Sequence, residues 1–232
     1  MAFIDEQLRR SSCPTVSYTG RTQQPPFNTA KMSNTDKETS DILQQVLQEY
    51  GSRISIQYNA NILVSDPNVA RTIYDQTASI RNTFGPKIVI ASRGEADPDV
   101  SGLEHVTVKS LESLEMDQYT HAIFCLSNED PKVVLKGLQW MIHALQPKGI
   151  AIVTSLKVEA GKVEGEEGQF NVGLEEKMLF QSKGKIGKLT EVLEYAGFER
   201  GKIRSHERST EAGGGKTDAE VVLAMKWDQL TG

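Results

Sequence analysis

Apolar positions along this chain alternate between two rhythms, a helical spacing of three and four and short unbroken β-prone runs. Ile42, Leu43, Val46, Leu47 and Tyr50 keep the helical period behind Thr35 and Glu38, which have capping-box spacing, and Gly51 predicts the stop. Ile54 to Tyr58 and Ile62 to Val64 are β-prone runs split by Asn59-Ala60-Asn61, read as one interrupted strand or as a strand with an extended lead-in. Asp66-Pro67 then supplies an N-cap with proline at the first helical position, followed by Val69, Ile73, Thr77 and Ile80 on one face until Gly85-Pro86. Lys87 to Ala91, Val106 to Val108 and His121 to Leu126 are short apolar strands of the kind that parallel sheets bury on both faces.

The second half repeats the scheme. Asp130-Pro131 and the face Val134, Leu138, Met141, Leu145 predict a helix, and Pro147-Lys148-Gly149 turns the chain into a strand from Ile150 to Thr154. Val158 to Gly173 is acidic and glycine-rich, too polar to pack, and reads as a long surface loop or hairpin. A last helix carries Ile186, Leu189, Val192 and Leu193 and stops at Gly197, after which strands near Lys202–Glu207 and Glu220–Trp227 flank Gly213-Gly214-Gly215. Helix-strand alternation closed by a strand pair predicts a doubly wound, mostly parallel α/β sheet, Rossmann-like, with an antiparallel C-terminal strand.

Composition narrows the partners more than the fold. The 232 residues give one domain from residue 33 to 232, preceded by an arm over 1–32 that is flexible or packed on a second subunit of a homodimer. That arm is rich in Ser, Thr, Gln and Pro and carries Arg9, Arg10 and Arg21, but Asp5 and Glu6 speak against an organelle presequence. A net charge of −5, with Lys and Arg scattered among acids, argues against nucleic acid and for a small-molecule substrate, neutral or cationic, or a protein partner. Two cysteines cannot build a disulfide framework, and no apolar run approaches the ~20 residues that span a bilayer, so a soluble, reducing, cytoplasmic setting is expected.

Candidate chemistry is sparse. Ser127-Asn128-Glu129-Asp130 follows a central strand at its carboxyl end, where open α/β sheets bind ligands. Asp130 reads first as a helix cap, leaving Asn128 as a substrate hydrogen-bonder and Glu129 as acid or base. His121, opening a strand, is weighed as a catalytic base against a structural histidine, and the four histidines show no metal-ligand spacing. Gly213 to Thr217 is no phosphate loop, because Thr210 stands where the first glycine belongs and two strands flank it.

His121 to Ser127, the helix to Leu145, the turn Leu145-Gln146-Pro147-Lys148-Gly149 and the strand to Ser155 follow in the order seen in one large family. With Leu193-Glu194-Tyr195-Ala196-Gly197-Phe198 at a helix end, this span resembles the class I S-adenosylmethionine-dependent methyltransferase superfamily, with Lys148 replacing the usual first glycine of the turn. The resemblance covers roughly Lys87 to Trp227 and implies a ligand cleft at the carboxyl edge of the sheet. It also implies where the cofactor would sit: Ser65 and Asp66 at the turn after the first strand, and Ser92, Arg93 and the displaced Glu95 after the second. The chain departs from the family at both places. Leu63 to Asn68 holds no glycine and has Pro67 removing a backbone donor, so this is a degenerate member lacking the glycine-rich cofactor turn.

Three functions follow from that departure. The first is an enzyme of small-molecule, including secondary, metabolism without conventional S-adenosylmethionine use, performing a cyclisation, rearrangement or isomerisation. The second is a methyltransferase with a divergent binding turn, so the cofactor expectation is none or S-adenosylmethionine. The third is a non-catalytic scaffold or partner domain.

Overall fold

The computed structural model describes residues 33–81, 85–92, 100, 102–126, 131–157 and 189–228. Among the described residues four helices, α1 (Asn34–Ile54), α2 (Pro67–Gln76), α3 (Pro131–Ala144) and α4 (Leu189–Ala196), alternate with seven strands. The strands are β1 (Asn61–Val64), β2 (Lys87–Ser92), β3 (Val106–Ser110), β4 (Tyr119–Leu126), β5 (Leu145–Lys157), β6 (Arg204–Thr210) and β7 (Thr217–Met225). They form one sheet in the order β3-β2-β1-β4-β5-β7-β6. Pairing is parallel from β3 to β5, and β7 enters antiparallel between β5 and β6. The order reverses between β1 and β4, which is where such sheets open a crevice at their carboxyl edge.

Two cores fill the two faces. Ile62, Val64, Ile88, Ile90, Ile123 and Ile152 bury against Ile42, Leu43 and Val46 of α1 and Val69 and Ile73 of α2. Leu63, Ala122, Phe124, Ala151 and Val153 bury on the opposite face against Val134, Leu138 and Met141 of α3 and Leu189, Val192 and Leu193 of α4. Successive strand residues thus serve different cores, which is why these strands read as continuous apolar runs. Among the described residues no helix is long and apolar enough to cross a membrane.

Several boundaries differ from the sequence expectation, each for a local reason. The capping box of α1 is Ser33 with Asp36, two residues before the predicted pair, and Glu38 instead accepts a 2.8 Å bond from Thr217 Oγ1 of β7. Gly51 does not stop the helix. Ile54 is buried one turn further on, and the stop falls at Ser55 in the left-handed conformation (φ 50°). Of residues 54–64 only Asn61–Val64 is strand; Ile54 still belongs to α1, Ser55 is left-handed and residues 58–59 turn, so neither the interrupted strand nor the extended lead-in is found. The α2 helix ends at Gln76 and tightens into a 3-10 turn over Ala78–Ile80. Trp227 lies beyond β7 and is exposed. Gly213 to Gly215 turn between β6 and β7, as the hairpin reading expects.

The turn from α3 into β5 explains the family-like glycine. Lys148 takes φ 65°, the region where a glycine costs nothing, and its ammonium pairs with Asp228 at 2.9 Å. Gly149 needs its missing side chain instead: a Cβ there would meet Gln146 O at 2.8 Å and Leu145 Cδ2 at 2.9 Å. The helix end at Gly197 closes as predicted, with φ 115° and the amides of Gly197 and Phe198 returning to Leu193 O.

Candidate functional site

The turn between β1 and α2 occupies the place where a cofactor would rest, and it is bonded to itself. Asp66 caps α2, its Oδ1 accepting the amides of Asn68 and Val69 at 3.0 Å each, and Pro67 at the first helical position has no amide to give. Ala70 N–H goes to the Asp66 carbonyl at 3.1 Å. The other carboxylate oxygen accepts the Ser65 hydroxyl at 2.7 Å. That hydroxyl also receives the Cys125 amide at 3.1 Å, standing in for the Ser65 carbonyl that a regular parallel ladder would present next. Ser65 N–H still bonds Ile123 O at 3.1 Å, so the serine splices the end of β1 onto β4 as its backbone turns away. Sequence reading missed this splice, since a serine ending a strand carries no mark of the strand it will meet.

Behind the turn lies Cys125, partly buried, paired in register with Thr154 of β5. Burial pushes its thiol well above the ordinary cysteine value and the Asp66 carboxylate pushes the same way, while the nearby Thr154 hydroxyl opposes them. A thiol so placed stays protonated and is a poor nucleophile. Thr154 Oγ1 is itself the one buried side-chain polar atom without a hydrogen bond of ordinary length among the described residues. An unpartnered buried hydroxyl costs stability, so Thr154→Val is expected to raise the urea midpoint, by about 1 kcal/mol in free energy. A loss of stability in that titration would mean that the hydroxyl has a working partner, with the Cys125 thiol the neighbour concerned.

Ser92 ends β2 in register with Ser110 of β3 and is partly buried. Val64 pairs with Ile90, so the β1 and β2 ends, with Ser65, Asp66 and Ser92, share the carboxyl edge. Arg93, Glu95, Asn128 and Glu129 lie outside the described residues, as does the acidic segment from Val158.

His121 lies elsewhere. It pairs with Ile62 near the amino end of β1, about 10 Å along the strands from the level of Ser65. It is 6% exposed, its Nε2 lies 2.7 Å from Ile54 O and its Nδ1 2.8 Å from Thr120 Oγ1. A carbonyl only accepts, so Nε2 carries the proton; in the neutral ring Nδ1 then accepts from Thr120. Burial holds the imidazole below the usual histidine range, against the opposing pull of the Ile54 carbonyl. With both nitrogens bonded and the ring at the wrong edge, the catalytic reading of His121 gives way to a structural one: it caps an orphan carbonyl at the end of α1.

No protein-family model matches the chain, and no curated protein matches it by sequence. Solved structures do resemble it. The [4+2]-cyclase SpnF aligns at TM-score 0.51 with 15% identity, over 81% of this chain and 80% of that one. An S-adenosylmethionine-dependent methyltransferase from Aquifex aeolicus aligns at 0.50 with 16% identity, over 83% and 92%. The CurJ carbon methyltransferase aligns at 0.51 with 14% identity, over 84% of this chain and 54% of that one. Sheet order, antiparallel β7 and these alignments agree that the chain has the Rossmann-like fold of class I S-adenosylmethionine-dependent methyltransferases.

Proposed function

We propose that this protein is a methyltransferase-fold enzyme of small-molecule metabolism that does not hold S-adenosylmethionine at its β1–α2 turn. The observation that carries the reading is the saturated cap: the amides of Asn68 and Val69 bond Asp66 and Pro67 has none. A cofactor held by bare peptide needs free donors and no side chains in the way, and here side chains line the turn and the amides of Ser65, Asn68 and Val69 are spent. Chemistry in the carboxyl-edge cleft would then rest on shape and hydrogen bonding, in a cyclisation, rearrangement or isomerisation. Ser92 and the sequence-nominated Arg93, Asn128 and Glu129 are its rim candidates. That a [4+2]-cyclase has this fold supports the reading, since the scaffold is compatible with a reaction other than methyl transfer.

Calorimetric titration of the full chain with S-adenosylmethionine decides it. No saturable heat is expected up to about millimolar ligand, the weak end of specific binding. Micromolar binding would favour the second reading, a methyltransferase with a divergent turn, for which the Aquifex structure is the relevant likeness.

A further inference from the structure

On the Val89 face of the sheet, Asn61, Lys87, Val89, Thr107 and Lys109 of β1, β2 and β3 line a cavity of about 350 Å³ together with His105, Glu115, Gln118 and Tyr119. No described helix covers this part of the sheet, because only a 3-10 turn, Leu111–Ser113, stands between β3 and β4. Val89 pairs with Thr107 and Ala91 with Lys109, so alternate residues of two neighbouring strands put both lysines on the Val89 side. Lys87 and Lys109 are four positions apart along the sheet, about 13 Å, a span that two four-carbon stems can close over one ligand.

Tyr119 is the telling residue. It is 2% exposed as a residue and lines this cavity, where its hydroxyl keeps access to solvent and makes no hydrogen bond to any described residue. A phenol so placed has its donor free for a ligand. Burial, and next the Glu115 carboxylate, hold it above the usual tyrosine range, so it is a neutral donor. Glu115 meets Lys109 only at 4.0 Å, with both side chains largely in solvent, an ion pair of little strength.

We propose that this cavity binds a small organic anion, a carboxylate or phosphate ester on a compact apolar body. Its oxygens accept from the Tyr119 hydroxyl and the Lys87 and Lys109 ammonium groups, and its body packs on Val89. The volume suits a small molecule. Glu115 competes with the ligand for Lys109. The site is independent of the carboxyl-edge reading, since it lies on the Val89 face of β2 and uses none of Ser65, Asp66 or Ser92.

The test is a titration of the full, 15N-labelled chain with benzoate and, in a second arm, with inorganic phosphate, following the backbone amides. Saturable shifts at Thr107, Lys109 and Gln118 are expected, and whichever arm gives them identifies the headgroup. The pair Lys87→Glu and Lys109→Glu should weaken binding by about tenfold or more, the size of a lost charge-assisted hydrogen bond, and Tyr119→Phe by about threefold to tenfold. Glu115→Gln should tighten it. The Tyr119 and Glu115 variants bracket the result, because a merely unspecific attraction to lysines would ignore the phenol. Absence of saturable shifts in both arms, or shifts that survive the lysine reversals, would overturn the proposal.

Discussion

Replacing His121 with leucine should lower the unfolding free energy by about 1–3 kcal/mol, the cost of a buried carbonyl left bare. The carbonyl is that of Ile54, which ends α1 and has no helical partner of its own; the Thr120 hydroxyl, 2.8 Å from Nδ1, keeps the amide and carbonyl of Asn61 at 3.1 Å each. The imidazole is also a proton gauge. Its folded value lies below the ordinary histidine range because burial opposes charge. Above about pH 6.5 the ring is neutral in both states and its contribution is complete. As the pH falls through that value, the unfolded chain takes up a proton that the folded chain refuses, and stability is lost until the folded value is passed. The slope can reach about 1.4 kcal/mol per pH unit, one proton's worth. Urea titrations across the acid range should show that slope in the natural protein and its loss in His121→Leu. If the leucine variant kept both the stability and the slope, the clamp would have no energetic role.

Why does the sequence leave His121 open between base and structural histidine, when so much of the sheet is legible? Its partner lies 67 positions away. The succession of elements follows from periodic patterns that each element carries within itself: the apolar run of β2, the stripe Val134, Leu138, Met141 on α3, the glycine closing α4. Such signals are local. Gly51 misled because its local preference to end a helix was outweighed by Ile42, Leu43, Val46 and Ile54, all buried, which keep α1 on the sheet for another turn. A side chain's chemistry is set by whatever the fold brings opposite it. Ser65 meets Cys125, Glu38 meets Thr217, and Tyr50 meets both Arg208 and His206, none of which a linear pattern announces.

The same contrast separates the two candidate sites. At the carboxyl edge, sequence located the turn correctly, because an Asp-Pro pair is a strong local signal of a cap. It could not show that Ser65 would also spend its hydroxyl there. Over the Val89 face nothing in the pattern marks a cavity, since Lys87, Thr107 and Lys109 read as solvated polar positions of two short strands. Only the registry of β2 with β3, and the absence of a described helix above them, gathers those residues around Tyr119.

Asp66→Ala should be the second costly change, at about 1–2 kcal/mol, the range for losing a helix N-cap. For a domain of this size that is about 2–8 °C in midpoint temperature. The argument runs from the bonds: two amides at 3.0 Å lose their acceptor, and the Ser65 hydroxyl loses the carboxylate 2.7 Å away while still bound to Cys125 N–H. Asp66→Ser should recover most of the loss, because a serine oxygen can accept from the same amides. A residue kept for cofactor contact would behave otherwise: alanine would leave the melting temperature alone and abolish binding of S-adenosylmethionine. Calorimetry on both variants beside their melting curves therefore separates the two roles. A stability loss restored by serine, with no cofactor heat in any of the three proteins, makes this carboxylate a cap. An unchanged midpoint in Asp66→Ala, together with cofactor binding in the natural protein that the variant lacks, would return it to the ligand and take the saturated-turn argument with it.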